Sequence, residues 1–168
     1  MRIISGIHKG RKIISPKNLP VRPTTDRAKE GLFNILENKI DLNSINVLDL
    51  FSGTGSISFE FSSRGAKNVI SIDKSYNCIK HIKKTSNNLN LKITPIKCEV
   101  ISYLKKPNKK FDLIFADPPY EWISDYYENM KISVAIVRVI TNGSRWCDRV
   151  SMEKRRFGHQ HPDLDGAG

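Results

Sequence analysis

The chain has 168 residues, near the size of one domain, with 39% hydrophobic and 27% charged residues, so it can bury a sizeable core. No apolar run approaches the ~18 residues of a membrane span, and Met1 to Gly10 is polar and basic without the apolar stretch of a signal peptide. Lysines and arginines number 28 against 17 acids, a net charge of +11, which favours a polyanionic partner. Three scattered cysteines (Cys78, Cys98, Cys147) without CxxC spacing predict reduced thiols in a cytoplasmic protein, not a disulfide or zinc framework.

In chain order, Arg2–Ser5 and Arg11–Ile14 are short β-prone pieces around Gly6–Gly10, which predicts a β-hairpin. Between Met1 and Lys29 eight basic residues (Arg2, Lys9, Arg11, Lys12, Lys17, Arg22, Arg27, Lys29) stand against the single acid Asp26, a concentration suited to nucleic acid or to a solvated basic face. Pro16, Pro20 and Pro23 mark an irregular connector. Thr24 or Thr25 then caps a helix over Asp26–Asn38, with Ala28, Leu32, Ile35 and Leu36 at helical spacing.

From Asn46 strands and helices alternate. Strands are predicted over Asn46–Phe51, Asn68–Asp73, Leu91–Lys97 and Phe111–Ala116, and helices over Ile57–Arg64, Tyr76–Asn88 and Val100–Lys105. Short apolar strands joined by helices imply a parallel, doubly wound α/β sheet. Beyond Tyr120 a helix over Trp122–Met130 and a strand over Ile132–Ile140 are expected. Thr141–Gly168 has little periodicity, and its last ten or so residues are expected to be poorly ordered. The reading divides the chain into a basic hairpin-and-helix extension (1–44), a core (45–150) and an atypical tail (151–168).

Three constellations carry chemistry. Asp49-Leu50-Phe51-Ser52-Gly53-Thr54-Gly55 closes the first core strand, where doubly wound sheets bind ligands. Gly53 and Gly55 let the backbone turn and approach a ligand, while Ser58 occupies the third position of a GxGxxG pattern, which argues against a nicotinamide dinucleotide. Asp49, four residues before Gly53, suits the ammonium of an amino-acid moiety such as that of S-adenosylmethionine. Asp73 closes the second strand and could accept ribose hydroxyls or cap the following helix. Glu99, after the third strand, could reach an adenine amino group or be an exposed helix acid.

The third constellation, Asp117-Pro118-Pro119-Tyr120, follows the fourth strand. A base amino group is a poor nucleophile because its lone pair is delocalised into the ring. The Asp117 carboxylate and the Pro118 carbonyl can accept its two N–H bonds and turn the lone pair outward. Pro118 and Pro119 stiffen the backbone, and Tyr120 offers a stacking face for a splayed base. The alternative is a proline-rich turn that only closes a strand. His159 and His161 lack companion ligands, so no metal is expected.

Arg22 to Leu36, Asp49 to Gly55, Asp117 to Tyr120 and the opening Met1-Arg2-Ile3-Ile4-Ser5-Gly6 with Gly10-Arg11-Lys12-Ile13 together resemble the RsmD family, bacterial 16S ribosomal RNA guanine-N2 methyltransferases. The resemblance runs from Met1 to about Trp122. It implies a Rossmann-like class I methyltransferase fold with an N-terminal hairpin, S-adenosyl-L-methionine as donor, and a guanine in 16S ribosomal RNA or an assembling 30S subunit as acceptor, with a monomeric, cytoplasmic enzyme and no membrane partner. By position Asp49, Phe51, Gly53 and Gly55 would hold the methionine end, Asp73 the ribose and Glu99 the adenine, with Arg22 and Thr24 at the cofactor entrance. Asp117, Pro118, Pro119 and Tyr120 would orient the base. Arg2, His8, Lys9, Arg11, Lys12 and Arg27 would contact RNA.

The chain departs from the family pattern at its C-terminus. A closing hairpin rich in Tyr, Gly and Phe is expected there, Ser151–Gly158 matches it faintly, and the C-terminal strands are expected to be incomplete. The alternatives are an adenine-N6 DNA methyltransferase, which would use the same tetrapeptide, and a catalytically impaired RNA-binding relative. A protein glutamine methyltransferase would ordinarily carry Asn in place of Asp117.

Overall fold

The structure is a computed structural model that describes residues 1–16, 19, 21, 24–105 and 111–117 in full, with the backbone of 136–138, 141–142 and 145–146. Its centre is a parallel five-stranded sheet, built from β1 (Asn46–Leu50), β2 (Asn68–Asp73), β3 (Ile93–Lys97), β4 (Leu113–Ala116) and β5 (Ile136–Arg138) in the order β3-β2-β1-β4-β5. The order reverses between β1 and β4, so a crevice opens beyond their carboxyl ends. A separate antiparallel pair, β6 (Thr141–Asn142) with β7 (Arg145–Trp146), lies in a stretch whose sequence shows little periodicity. The helix expected over 122–130 and the tail 151–168 lie outside the described residues.

The period-two alternation of each strand sorts side chains onto two faces. Val47, Val69, Leu113 and Phe115 pack with Leu32, Phe33 and Leu36 of α1 (Asp26–Glu37) and with Ile57 and Phe61 of α2 (Ser56–Ser63). Leu48, Leu50, Ile70, Ile72, Ile114 and Ala116 face the other way and pack with Val100 of α4 (Val100–Leu104). Phe33 and Phe61 meet edge to face with ring centroids 4.7 Å apart. Among the described residues no helix is long and apolar enough to cross a membrane.

Local chemistry sets the element ends. Thr25 caps α1, its hydroxyl accepting from Ala28 N at 3.2 Å, and Ser75 caps α3 (Tyr76–Asn88) by accepting from Cys78 N. α3 ends in a Schellman arrangement: Asn90 is left-handed, its N–H bonds Asn87 O, and Leu91 N bonds Ser86 O at 2.9 Å. That use of Leu91 explains why β3 begins at Ile93 and not at Leu91 as its apolar pattern predicts. β1 stops at Leu50 because Phe51 turns into the left-handed region at φ 60°. β4 begins two residues later than predicted, since Asp112 uses both its N–H and its carboxylate to close onto Asn46. Pro95 is tolerated in β3 because that strand is an edge of the sheet.

The N-terminal hairpin is the largest difference from the sequence reading. Two strands are predicted, but the pairing shrinks to one antiparallel bridge, Arg2 with Lys12, plus backbone bonds such as Ile3 N to Arg11 O and Gly10 N to Ile3 O. The amides of Ile4 and Ser5 do not pair across the hairpin. Both go to the carboxylate of Glu60 on α2, at 2.9 Å each. Ile3 and Ile13 are buried against Phe59, Ile82, Leu89 and Leu91, so the hairpin closes over α2 and α3.

Candidate active site

Alternation along β1 and β2 turns Asp49 and Ser71, cross-strand partners in register, to the α2 side of the sheet. Ser58 on α2 meets both: its hydroxyl donates to Asp49 Oδ2 and lies 2.6 Å from Ser71 Oγ. Asp49 is fully buried. Loss of water pushes its carboxyl up to about 7; the Ser58 hydrogen bond opposes that shift, while Asp117 and Asp73 add to it. The position that fails to supply a third glycine is therefore the support of the site's buried acid.

The loop after β1 is shaped by two glycines in the left-handed region, Gly53 at φ 52° and Gly55 at φ 78°. A Cβ at Gly55 would stand 2.7 Å from Ile82 Cγ1 and 3.0 Å from the Phe59 ring, so only glycine fits there. Asp73 holds the loop from the neighbouring strand: its Oδ2 accepts from Gly53 N at 2.8 Å and its Oδ1 from Ser75 N at 2.7 Å. The capping role open to Asp73 is thus shared, with Ser75 as the cap itself. Each carboxylate oxygen keeps a second lone pair, so ribose hydroxyls could still be accepted.

A ligand's amino-acid end fits this corner on structural grounds. α2 opens directly from Gly55, placing the positive end of its dipole at the loop. Ser56 Oγ, at the first helical position, is buried with no hydrogen-bond partner among the described residues. An ammonium beside Asp49 and a carboxylate at the helix start would answer both features.

The other predicted residues are distributed as follows. Asp117 follows Ala116 at the end of β4 on the Asp49 side of the sheet, partly buried and close enough to raise the Asp49 pKa. Pro118, Pro119, Tyr120 and Arg22 lie outside the described residues. Phe51 sits in the loop turn, half-buried. Val21 of the connector rests against the loop, 3.4 Å from where a Gly53 Cβ would stand, and Thr24 follows three residues on. Glu99 is exposed at the N-cap position of α4, where its side chain makes no capping bond. Lys9, Arg11, Lys12 and Arg27 are exposed and His8 partly so, while Arg2 is ion-paired to Asp26 at 3.2 Å. Arg2 and Lys9 line a cleft of about 420 Å³ between the hairpin and α1, with Glu30, Asn34, Glu37 and Arg64 on its other walls.

Three residues of consequence carry no signal that sequence reading could detect. Ser71 and Ser58 look like ordinary polar positions, and Glu60 lies in a helix whose eight residues are all buried. Their partners come from other elements of the fold.

The family model described as "Conserved hypothetical protein 95" matches residues 1–144. A Buchnera aphidicola protein named "Ribosomal RNA small subunit methyltransferase D" is 39% identical over 124 residues, covering 72% of this chain and 62% of that protein. The Haemophilus influenzae protein of the same name is 38% identical over 129 residues, covering 73% and 65%. The chain thus spans less than two thirds of either relative. A solved Escherichia coli structure described as "Putative methyltransferase" superposes with a TM-score of 0.64 at 28% identity, over 71% of this chain and 64% of that one. With its parallel sheet, its carboxyl-edge crevice and this match over most of its length, the chain belongs to the family described as Conserved hypothetical protein 95, the RsmD family of the sequence resemblance, and has a Rossmann-like class I methyltransferase fold.

Proposed function

We propose that the chain is an S-adenosylmethionine-dependent methyltransferase acting on the exocyclic N2 of a guanine in 16S ribosomal RNA. The observation that carries the reading is the convergence of three carboxylates from three strands, Asp49, Asp73 and Asp117, at the carboxyl edge of the sheet around the Gly53–Gly55 loop. Such a corner suits a ligand with a cationic amino-acid end and a ribose. The names of relatives 38–39% identical to this chain support small-subunit ribosomal RNA as the acceptor.

In this reading Asp49 meets the ammonium of the cofactor, Gly53, Gly55 and Phe51 enclose its methionine end, Asp73 takes the ribose and Glu99 the adenine, with Arg22 and Thr24 at the entrance. The cofactor, when bound, supplies a methyl group on a sulfonium. Asp117 and the Pro118 carbonyl accept the two N–H bonds of the target amine, Pro119 stiffens the turn, and Tyr120 stacks on the base. Transfer would form the N2–methyl bond at the expense of the donor's carbon–sulfur bond. One N2 proton leaves through the Asp117 hydrogen bond to solvent. The extension 1–44, through Arg2, His8, Lys9, Arg11, Lys12 and Arg27, grips the RNA backbone while the 45–150 core carries the chemistry.

Methyl transfer from labelled S-adenosylmethionine to unmodified 16S RNA or 30S particles, with the product nucleoside identified, tests the reading. N2-methylguanine supports it. N6-methyladenine, methylated protein or no transfer at all overturns it. Asp117→Ala should lower turnover by at least about a hundredfold while cofactor affinity stays within a few-fold; unchanged turnover would remove Asp117 from the mechanism.

A further inference from the structure

Glu60 is the most enclosed acid in the described chain that the proposed chemistry does not use. It lies in the second turn of α2 with no exposed surface, and its carboxylate is fully engaged. Oε2 accepts from Ile4 N and Oε1 from Ser5 N, both at 2.9 Å. Arg64 Nε donates to Oε1 at 2.9 Å, and Lys29 Nζ stands 3.9 Å from Oε2. Lys29 is itself buried, donates to the Arg2 carbonyl and lies 3.5 Å from Asp26. Arg2–Asp26, Lys29–Asp26, Lys29–Glu60, Arg64–Glu60 and Arg64–Glu37 form one unbroken chain of ion pairs through the hairpin, α1 and α2. A buried charge persists only where it is paired and hydrogen-bonded, as this one is.

The geometry of those bonds is directional. Consecutive amides of a regular strand point to opposite sides, so Ile4 and Ser5 can share one anion only because the chain bends at Ser5 into the Gly6 turn. Next to it the hairpin backbone docks on the last turn of α2: Ile7 N donates to Ser63 O at 2.8 Å, His8 N to Ser63 Oγ at 3.1 Å, and Ser63 Oγ to Ser5 O at 2.7 Å. Gly6 passes so close that an added Cβ would lie 1.9 Å from Ser63 O. Burial of Ile3 and Ile13 would keep the hairpin near the core without fixing its angle, because apolar burial has no direction. The acceptors on α2 supply the direction. α2 also begins at the cofactor loop, with Glu60 five residues beyond Gly55, about 7.5 Å along the helix axis.

We propose that Glu60 is a positioning residue that locks the basic N-terminal hairpin onto α2 in one orientation, so that the hairpin's RNA contacts stand at a set distance from the reacting base. The proposal rests on the RNA methyltransferase reading for its consequence and on the hydrogen bonds above for its mechanism. A positioned hairpin holds RNA equally in the ground and transition states, so its loss raises KM and leaves kcat nearly unchanged.

The test uses the full chain and its Glu60→Gln and Gly6→Ala variants. Glutamine keeps the shape of the side chain but turns its carboxamide NH2, a donor, toward one of the two amide donors, whereas the alanine methyl pushes the turn off Ser63 without altering a charge. In both variants amide exchange at Ile4, Ser5, Ile7 and His8 should quicken by at least about tenfold, with the β1 and β2 amides unchanged. S-adenosylmethionine affinity should stay within about twofold, and KM for protein-free 16S RNA should rise about tenfold with kcat within about threefold. Unchanged hairpin exchange, or loss of core protection and cofactor binding in step with the hairpin, would overturn the proposal, because a purely structural brace would behave in that way. If the wild-type chain transfers no methyl group, the methyltransferase reading fails with it, and the exchange measurement alone decides whether Glu60 docks the hairpin.

Discussion

Asp49 shows how burial changes the meaning of a residue. Its carboxyl is raised to about 7 first by lost hydration, so without a ligand it is largely protonated below neutrality. A folded-state pKa above the unfolded value gives stability that is present at low pH and lost as pH climbs through about 7. The ligand-free protein should therefore melt at a higher temperature near pH 5 than near pH 8, as far as this residue is concerned, and Asp49→Asn should flatten that difference. Binding an ammonium beside Asp49 requires the carboxylate, so S-adenosylmethionine affinity should weaken as pH falls below about 7, approaching tenfold per unit. Calorimetric titrations across pH 5.5 to 8 check this, and an affinity independent of pH would exclude contact between Asp49 and the ammonium. The sequence places Asp49 at the end of a strand before a glycine loop. That its oxygen would accept from Ser58, which in turn meets Ser71, cannot be read there, because those residues come from different elements.

At the scale of elements, the sequence was most legible where apolar periodicity and caps agree. The helices expected from 26, 57, 76 and 100 and the strands from 46, 68, 91 and 111 all form, with shifts of one or two residues at their ends. The shifts have local causes: the αL turn at Phe51, the Schellman cap that takes Leu91, and the Asp112–Asn46 closure. In α1 the apolar spacing correctly places Leu32 and Leu36 in the core, but Phe33 and Lys29 are buried while Ala28 and Ile35 are only partly so. The charge on Lys29 hides it from any hydrophobic pattern. Thr25 is a clean probe of α1, since it is exposed and, among the described residues, its hydroxyl bonds only the helix start. Thr25→Ala should cost about 1 kcal/mol, lowering the melting temperature by roughly 2–4 °C. A smaller drop would mean that α1 is held by packing alone.

For the whole molecule the governing quantity is charge. The net +11 is concentrated near the N-terminus, where Lys9, Arg11, Lys12 and Arg27 are exposed and Arg2 is already paired. Exposed cations release counterions when they meet phosphates, whereas one held in an ion pair has less to give. Reversing Arg11 and Lys12 to Glu should weaken 16S RNA binding and reduce the slope of log affinity against log salt by roughly 1.5–2. The same slope in both proteins would move the RNA contact off the hairpin.

Alternating strands and helices determined the fold class from sequence, and the Arg22–Leu36 segment, the glycine loop, the Asp117 tetrapeptide and the opening hairpin residues determined the family, since each motif is read from residues within a few positions of one another. Tertiary structure alone decided the strand order, the company that Asp49 and Asp73 keep, and the docking of the hairpin on Glu60. The reason is separation along the chain: Glu60 lies 55 and 56 residues from the amides it binds, and Asp73 lies 20 from Gly53. Local pattern reports which face of an element avoids water. Which polar group a distant segment will enclose is settled only when the sheet closes and every buried donor has to find its acceptor.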